Sequence, residues 1–436
     1  MNDATPLASS TTLTLLFATT LVLGLIVKLW LFSRQIRHVA QHRQQVPAPF
    51  AGRISPAAHA KAADYTIAKA RFGLVDTAFG LLVVVAWTLL GALSALNQWL
   101  LDAVGPGMWQ ELALLGSFVV INAVVELPLT LYRTFVLEER FGFNKMTPKL
   151  WIADLFKSSI VGALIGLPIA ALMLWVMGSA GPYWWLWAWG LWMSINLAMM
   201  TVYPAFIAPL FNKFEPLEDE TIKARVTQLM QRCGFAAKGL FVMDGSKRSA
   251  HANAYFTGFG ASKRVVFYDT LLKKLSAGEV DAVLAHELGH FKHKHIVKRI
   301  VTIFAGSLVG LALLGWLSTQ VWFYTGLGVQ PNVMGDSNNA VALLLFMLSA
   351  PAFTFFITPL LAQLSRKHEF EADDYAMAQT QSQDLSSALL KLYQDNASTL
   401  TPDPLFVKFY YSHPPASERL GRMGYVHAAD GSVAVA

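Results

Sequence analysis

The stretch Val280-Asp281-Ala282-Val283-Leu284-Ala285-His286-Glu287-Leu288-Gly289-His290-Phe291-Lys292 carries the pattern His-Glu-x-x-His inside an apolar-periodic run that reaches residue 300. Residues four apart share a helix face, so His286 and His290 offer two imidazole nitrogens to one metal ion. Glu287 stands beside them, where a carboxylate can take a proton from a metal-bound water as general base. A pattern with three fixed positions also arises by chance, and its histidines are then surface residues. The flanks decide otherwise. Ser276-Ala277-Gly278-Glu279 has the form of a capping box, Asp281 adds a first-turn acid, and Ala282-Val283-Leu284-Ala285 is an apolar approach. The stretch reads as a helix with a zinc-hydrolytic face.

The rest of the 436-residue chain gives that helix an unusual setting. Hydrophobic residues make up 54% and charged residues only 14%, with mean hydropathy +0.43, which excludes an ordinary soluble protein and implies a membrane one. The 34 Lys and Arg exceed the 28 Asp and Glu, yet they form no arm or stripe, so nucleic acid is not expected as a partner. Cys233 is the only cysteine, which rules out an internal disulfide and a cysteine-based zinc cluster within one chain. The N-terminal stretch lacks a basic region and a small-residue cleavage site, so its first apolar run reads as a retained span.

Seven weakly charged runs are long enough to cross a hydrocarbon core: 13–32, 77–101, 112–132, 158–177, 183–206, 301–324 and 340–364. Segments 1–12, 102–111, 178–182 and 325–339 contain no Lys or Arg. Arg34, Arg37, Arg43, Arg53, Lys61, Lys69 and Arg71 fill the first long loop, and Arg133, Arg140, Lys145 and Lys149 the next loop on that side. By the positive-inside rule the N-terminus lies outside and the C-terminus in the cytoplasm. Lys28 and Lys157 fall where a long side chain snorkels. Tryptophans 184, 185, 187, 189 and 192 form an interfacial belt at the outer end of the fifth run. Glu126 is an intramembrane carboxylate ahead of Pro128, read equally well as a cavity-lining group or a structural hydrogen-bond partner.

Four regions result. Residues 1–211 hold five spans with cytoplasmic loops, and 212–300 form a cytoplasmic α+β unit ending in the zinc helix. Residues 301–364 supply the last two spans and 365–436 a cytoplasmic tail. Within the unit, 221–233 has helical spacing, 240–243 and 265–268 read as strands, and Asn253-Ala254-Tyr255-Phe256 as an edge strand. Residues 428–436 read as disordered. No phosphate-binding glycine loop or internal repeat is found, so no nucleotide is expected. The fold class is mainly α, a seven-span membrane protein with a small metalloprotease domain on its cytoplasmic side.

Catalytic zinc sites take three protein ligands and leave a position for water. His293 and His295 read as lying too far round or along the same helix, as a basic rim. Glu369, in Arg366-Lys367-His368-Glu369-Phe370-Glu371-Ala372-Asp373, is the better third ligand. The last two spans are joined by a short outer loop and run antiparallel, which brings their cytoplasmic ends together. Asp373, on the same face as Glu369, is placed to accept the second imidazole hydrogen of a ligating histidine, while Glu371 points elsewhere.

These features resemble the integral-membrane zinc metalloproteases of the type I CAAX prenyl protease family. The resemblance extends to Glu138-Glu139-Arg140-Phe141-Gly142-Phe143-Asn144-Lys145, Asn253-Ala254-Tyr255-Phe256, Ser365-Arg366 with Glu369 and Ala372-Asp373, and Tyr411-Ser412-His413-Pro414-Pro415 with Glu418-Arg419. It implies helices around an intramembrane chamber, one zinc per chain on His286, His290 and Glu369, and Glu287 as base. It further implies that Asn253 holds an extended substrate backbone and that His413 and Arg419 contact substrate or the oxyanion. Glu126 departs from the uncharged residue expected there. Short outer loops resemble bacterial members, hence an inner-membrane location.

The expected function is endopeptidase cleavage near the C-terminus of a CAAX-type peptide or protein, prenylated or not, beside membrane lipid. Two rivals stand against it. A heat-shock-type quality-control metalloprotease has the same chemistry but fewer spans. A receptor or transporter with structural zinc would close its site with four protein ligands, where three are found.

Overall fold

The computed structural model describes residues 4–235, 239–257, 264–332, 337–427 and 433–435. Among them, seven helical stretches are long and apolar enough to cross a membrane. They comprise α1 (Ala4–Gln41), α2 (Pro56–Trp87), α4 (Met108–Tyr132), α5 (Pro148–Ser179), α6 (Trp184–Val202), α11 (His295–Leu317) and the pair α13 (Asn339–Thr354) and α14 (Thr358–Gln379). Large apolar side chains such as Leu82, Val120, Leu164, Val309 and Leu360 form an exposed apolar surface on them. Such a belt is stable only against lipid or another apolar surface.

The second span differs from its sequence reading. The apolar run 77–101 breaks at Thr88, whose hydroxyl donates to the Val84 carbonyl at 2.7 Å, and turns at Gly91, held at φ +78°. Helix α3 (Ala92–Val104) is then a separate element that buries Leu93 and Leu100. The spanning helix starts at Pro56 instead, capped by Ser55. Its 32 residues reach roughly 48 Å, so 77–101 is not needed as a span. The sixth span likewise ends at Leu317, ahead of a short α12 (Val321–Gly326). The seventh bends through Phe355–Ile357, and its second half continues as α14 well past residue 364.

After α6 come a π-helical turn (Tyr203–Ile207), α7 (Ala208–Phe211), β1 (Phe214–Pro216) and α8 (Glu220–Arg232). Then follow β2 (Leu240–Met243), β3 (Ala254–Thr257), β4 (Arg264–Tyr268), α9 (Asp269–Leu272) and α10 (Ala277–Lys292). The sheet order is β1-β2-β4-β3, with β2 and β4 parallel and the outer pairs antiparallel. β3 is therefore an edge strand, as the sequence reading expects, while β1 is an addition to it.

A capping box and a buried apolar face fix helix α10. Ser276 accepts from the Glu279 amide, and Glu279 accepts from the Ser276 amide at 2.7 Å, forming the capping box. Glu279 also receives Ser387 at 2.6 Å and Lys391 at 2.7 Å. On one face Val280, Leu284 and Leu288 are buried with Val265, Phe267, Leu385 and Leu389. At about 1.5–3 kcal/mol for each large side chain buried, this face holds the helix and leaves the adjacent face free for polar chemistry.

The tail packs back onto the unit as α15 (Ser382–Asp395), α16 (Pro404–Tyr410) and α17 (Ala416–Arg422). Asp403 receives Arg34 of α1 at 2.9 and 3.3 Å, tying the first helix to the last part of the chain. Strand β6 (Val433–Val435) pairs with β5 (Tyr425–His427), against the expectation of disorder over 428–436; residues 428–432 and 436 lie outside the described ones.

Candidate metal centre

His286 and His290 project from α10 toward Glu369 of α14. His286 Nε2 lies 3.4 Å from Glu369 Oε2, His290 Nε2 lies 3.4 Å from Glu369 Oε1, and the two Nε2 atoms are 3.3 Å apart. Tetrahedral zinc with ligands at about 2.0–2.1 Å separates its ligand atoms by about 3.4 Å, so the triangle has the edge lengths that the ion requires. Glu369 Oε2 is buried without a hydrogen-bond partner. Such an acceptor costs free energy unless something occupies it, and a cation does. The donor set fits a metal ion.

Asp373, one turn beyond Glu369, lies 2.9 Å from His286 Nδ1. Arg419 of α17 donates to Asp373 through two nitrogens, at 2.8 and 2.6 Å. Arg419 is buried, with its guanidinium against Asp373 and 3.4 Å from His286 Nδ1. His413 Nε2 lies 3.4 Å from Glu369 Oε1, and the imidazole is exposed. Its loop is anchored by Arg366 of α14, which donates to the Val407 and Tyr411 carbonyls at 2.8 and 2.9 Å, and by Tyr393, which donates to the Pro414 carbonyl.

Electrostatics separates the two histidines. Burial disfavours the cation on His286, but the Asp373 and Glu369 carboxylates outweigh it and the imidazole is pushed up to about 9. Burial pushes His290 down to about 4, reinforced by His286. Burial also raises the Glu287 carboxyl above its ordinary value, His286 opposing and Glu369 adding to the shift. A raised carboxyl is a stronger proton acceptor once ionised.

Asn253 is exposed and directly precedes edge strand β3; its side-chain oxygen accepts from the Ala254 amide, and its carbonyl accepts from the Tyr268 amide at 3.0 Å. The segment containing Phe143 and Asn144 joins the same corner. Asn144 bridges Ser249, and the Ala250 amide donates to the Phe143 carbonyl. Glu126 lines a cavity of about 460 Å³ together with Asp76, Asn122 and Arg133.

One sequence expectation is corrected. His295 is neither on the zinc helix nor part of a basic rim: α10 ends at Lys292, Lys294 turns the chain at φ 56°, and His295 opens α11 as a buried residue. Its Nδ1 lies 3.0 Å from His290 Nδ1 and its Nε2 2.8 Å from Glu371 Oε2. No glycine or proline marks that turn, so the only available signal was a further histidine five positions beyond His290.

Residues 35–213 match the family described as CAAX prenyl protease N-terminal, five membrane helices, and residues 216–426 match peptidase family M48. The chain is 36% identical to CAAX prenyl protease 1 of Saccharomyces cerevisiae, over 84% of this chain and 85% of that one. The chain belongs to the CAAX prenyl protease family. Its Arabidopsis thaliana homolog is 33% identical over 92% of this chain and 96% of the relative. The crystal structure of S. mikatae Ste24p superposes with a TM-score of 0.88 at 32% identity, covering 95% of this chain and 99% of that one. The protein is thus a multi-pass integral-membrane metalloendopeptidase of this family.

Proposed function

We propose that the chain is a zinc endopeptidase, one ion per chain, that cuts CAAX-type peptides or proteins near their C-terminus. The observation that carries this reading is the triangle of His286, His290 and Glu369, whose edges suit tetrahedral zinc and whose Glu369 Oε2 lacks any other partner. When bound, the ion supplies an acidified water and polarises a peptide carbonyl. Glu287 accepts the proton and returns it to the leaving amine. Asp373 orients His286; Arg419, expected from the resemblance to contact substrate or the oxyanion, is instead proposed to act through Asp373, to which its guanidinium donates. An extended substrate adds to β3 beside Asn253 through main-chain hydrogen bonds, which gives loose sequence preference. His413 reaches the scissile carbonyl as an N–H donor to the oxyanion.

We further infer that residues 1–211, 212–300, 301–364 and 365–436 act as the four regions of the sequence reading, with the N-terminus outside and the site on the cytoplasmic side of a bacterial inner membrane. The lysine- and arginine-free segments support this orientation. The test is cleavage of a farnesylated CAAX peptide, and of the same peptide without lipid, by purified protein in detergent. Cleavage of at least one is expected. If neither is cut while unfolded membrane proteins are degraded, a quality-control protease replaces this reading.

A further inference from the structure

We propose that His295 and Glu371 are positioning residues for the metal centre, forming a relay that fixes the tautomer and ring orientation of His290. The proposal rests on the zinc site described above. His290 Nε2 faces His286 and Glu369, so ligation requires its lone pair at Nε2 and its hydrogen at Nδ1. Nδ1 lies 3.0 Å from His295 Nδ1, and two nitrogens at that distance need one donor and one acceptor. With His290 donating, His295 accepts at Nδ1 and carries its own hydrogen at Nε2. That Nε2 lies 2.8 Å from Glu371 Oε2, a carboxylate acceptor. Every donor then meets an acceptor.

The reverse tautomers do not work. They would aim a hydrogen of His290 at the metal position and set a His295 lone pair against a carboxylate. The surrounding structure holds the favoured arrangement: His295 is buried, and its ring stacks on His368 at 4.0 Å with the planes 14° apart. The left-handed turn at Lys294 returns the chain so that His295 meets His290 across the break between α10 and α11. Each metal-facing histidine thus has its own carboxylate, Asp373 directly for His286 and Glu371 through His295 for His290.

His295, His368 and Glu371 also lie close enough together to be considered as a second ion site. Near-parallel imidazoles direct their in-plane lone pairs along parallel lines and do not converge on one ion, and both nitrogens of His295 are already engaged.

The experiment measures zinc affinity of full-length protein in detergent, stripped of metal and titrated against a chromophoric zinc chelator. His295→Ala is expected to weaken zinc binding by roughly 10- to 100-fold and Glu371→Ala by about tenfold, in line with losses on removing outer-shell partners. His295→Gln, whose amide accepts from His290 and donates to Glu371, should recover most of the affinity; a merely space-filling role would not distinguish it from other residues of that size. The cobalt-loaded His295→Ala protein should show an altered visible absorption spectrum, and the cobalt-loaded His295→Gln protein one close to wild type. Zinc affinity within twofold of wild type in His295→Ala overturns the relay. Should that variant not fold, unchanged affinity in Glu371→Ala does so. Two zinc ions per wild-type chain, with one lost in His295→Ala, overturns it in favour of a second metal site. Failure of the wild type to bind zinc overturns the underlying site assignment itself.

Discussion

Gly289, between the two metal-facing histidines, lies directly on Ala372 of α14: a Cβ built at Gly289 would sit 2.9 Å from the Ala372 Cα and 3.0 Å from its carbonyl oxygen. The obstacle is backbone and cannot swing aside. This contact sets the distance between the helix that carries His286 and His290 and the helix that carries Glu369. Gly289→Ala should therefore push the helices apart, with the 1–3 kcal/mol typical of overpacking as about the expected scale, and lower zinc content. Gly421→Ala, where a Cβ meets nothing within 4 Å, is the control. Zinc content and melting temperature equal to wild type in Gly289→Ala would refute the spacer role.

Glu369→Ala should bind zinc far more weakly, since two imidazoles alone leave the ion short of a third protein ligand. Elemental analysis after dialysis against a weak chelator measures this. Stoichiometric zinc in the variant would remove Glu369 from the ligand set.

Glu287→Gln should keep both metal and fold but lose peptide hydrolysis, because an amide fits the same space and cannot accept a proton. General-base contributions are typically ~10²- to 10⁴-fold. A loss below about tenfold, with zinc retained, would assign the base elsewhere.

Zinc uptake should depend on pH through His286. In the metal-free protein the Asp373 and Glu369 carboxylates outweigh burial and hold this imidazole protonated up to about 9, whereas burial keeps His290 neutral above about 4. At pH 7 the ion must then displace about one proton, and affinity should rise about tenfold per pH unit toward pH 9 before levelling. Calorimetry at pH 7 in two buffers of different ionisation enthalpy counts the proton. A count near zero would defeat this assignment.

Orientation is open to cysteine labelling once Cys233 is removed. Labels near Gly181 and Asn332 should react with an impermeant reagent from outside, and labels near Arg53 and Asp219 should not. The opposite pattern would invert the topology.

Much of this was legible in the sequence because lipid and zinc both impose simple rules. Lipid demands about 20 apolar residues per span, so seven crossings could be counted. Helical spacing singled out His286 and His290, and the antiparallel pairing of the last two spans singled out Glu369; the structure brings these three side chains together. The errors arise where local pattern competes with packing. The hydrophobicity of 77–101 continues through Thr88 and Gly91 into a separate helix, and only the longer reach of Pro56–Trp87 makes the break affordable. The sequence does not foretell the place of His295, because Lys294 takes a left-handed conformation without a glycine to announce it. Arg419 could be singled out by resemblance, but not its pairing with Asp373, which depends on how α17 docks.

The histidines of α10 and the carboxylate of α14 are separated along the chain by an entire membrane hairpin, α11 to α13. With Glu369 as third ligand, a growing chain that has made only its His286 to His290 helix would still lack part of its metal site. It gains cutting power only after its last two crossings have been threaded and folded back upon one another. A copy stranded halfway through membrane insertion would then be short of its third ligand, so that correct integration would itself complete the site.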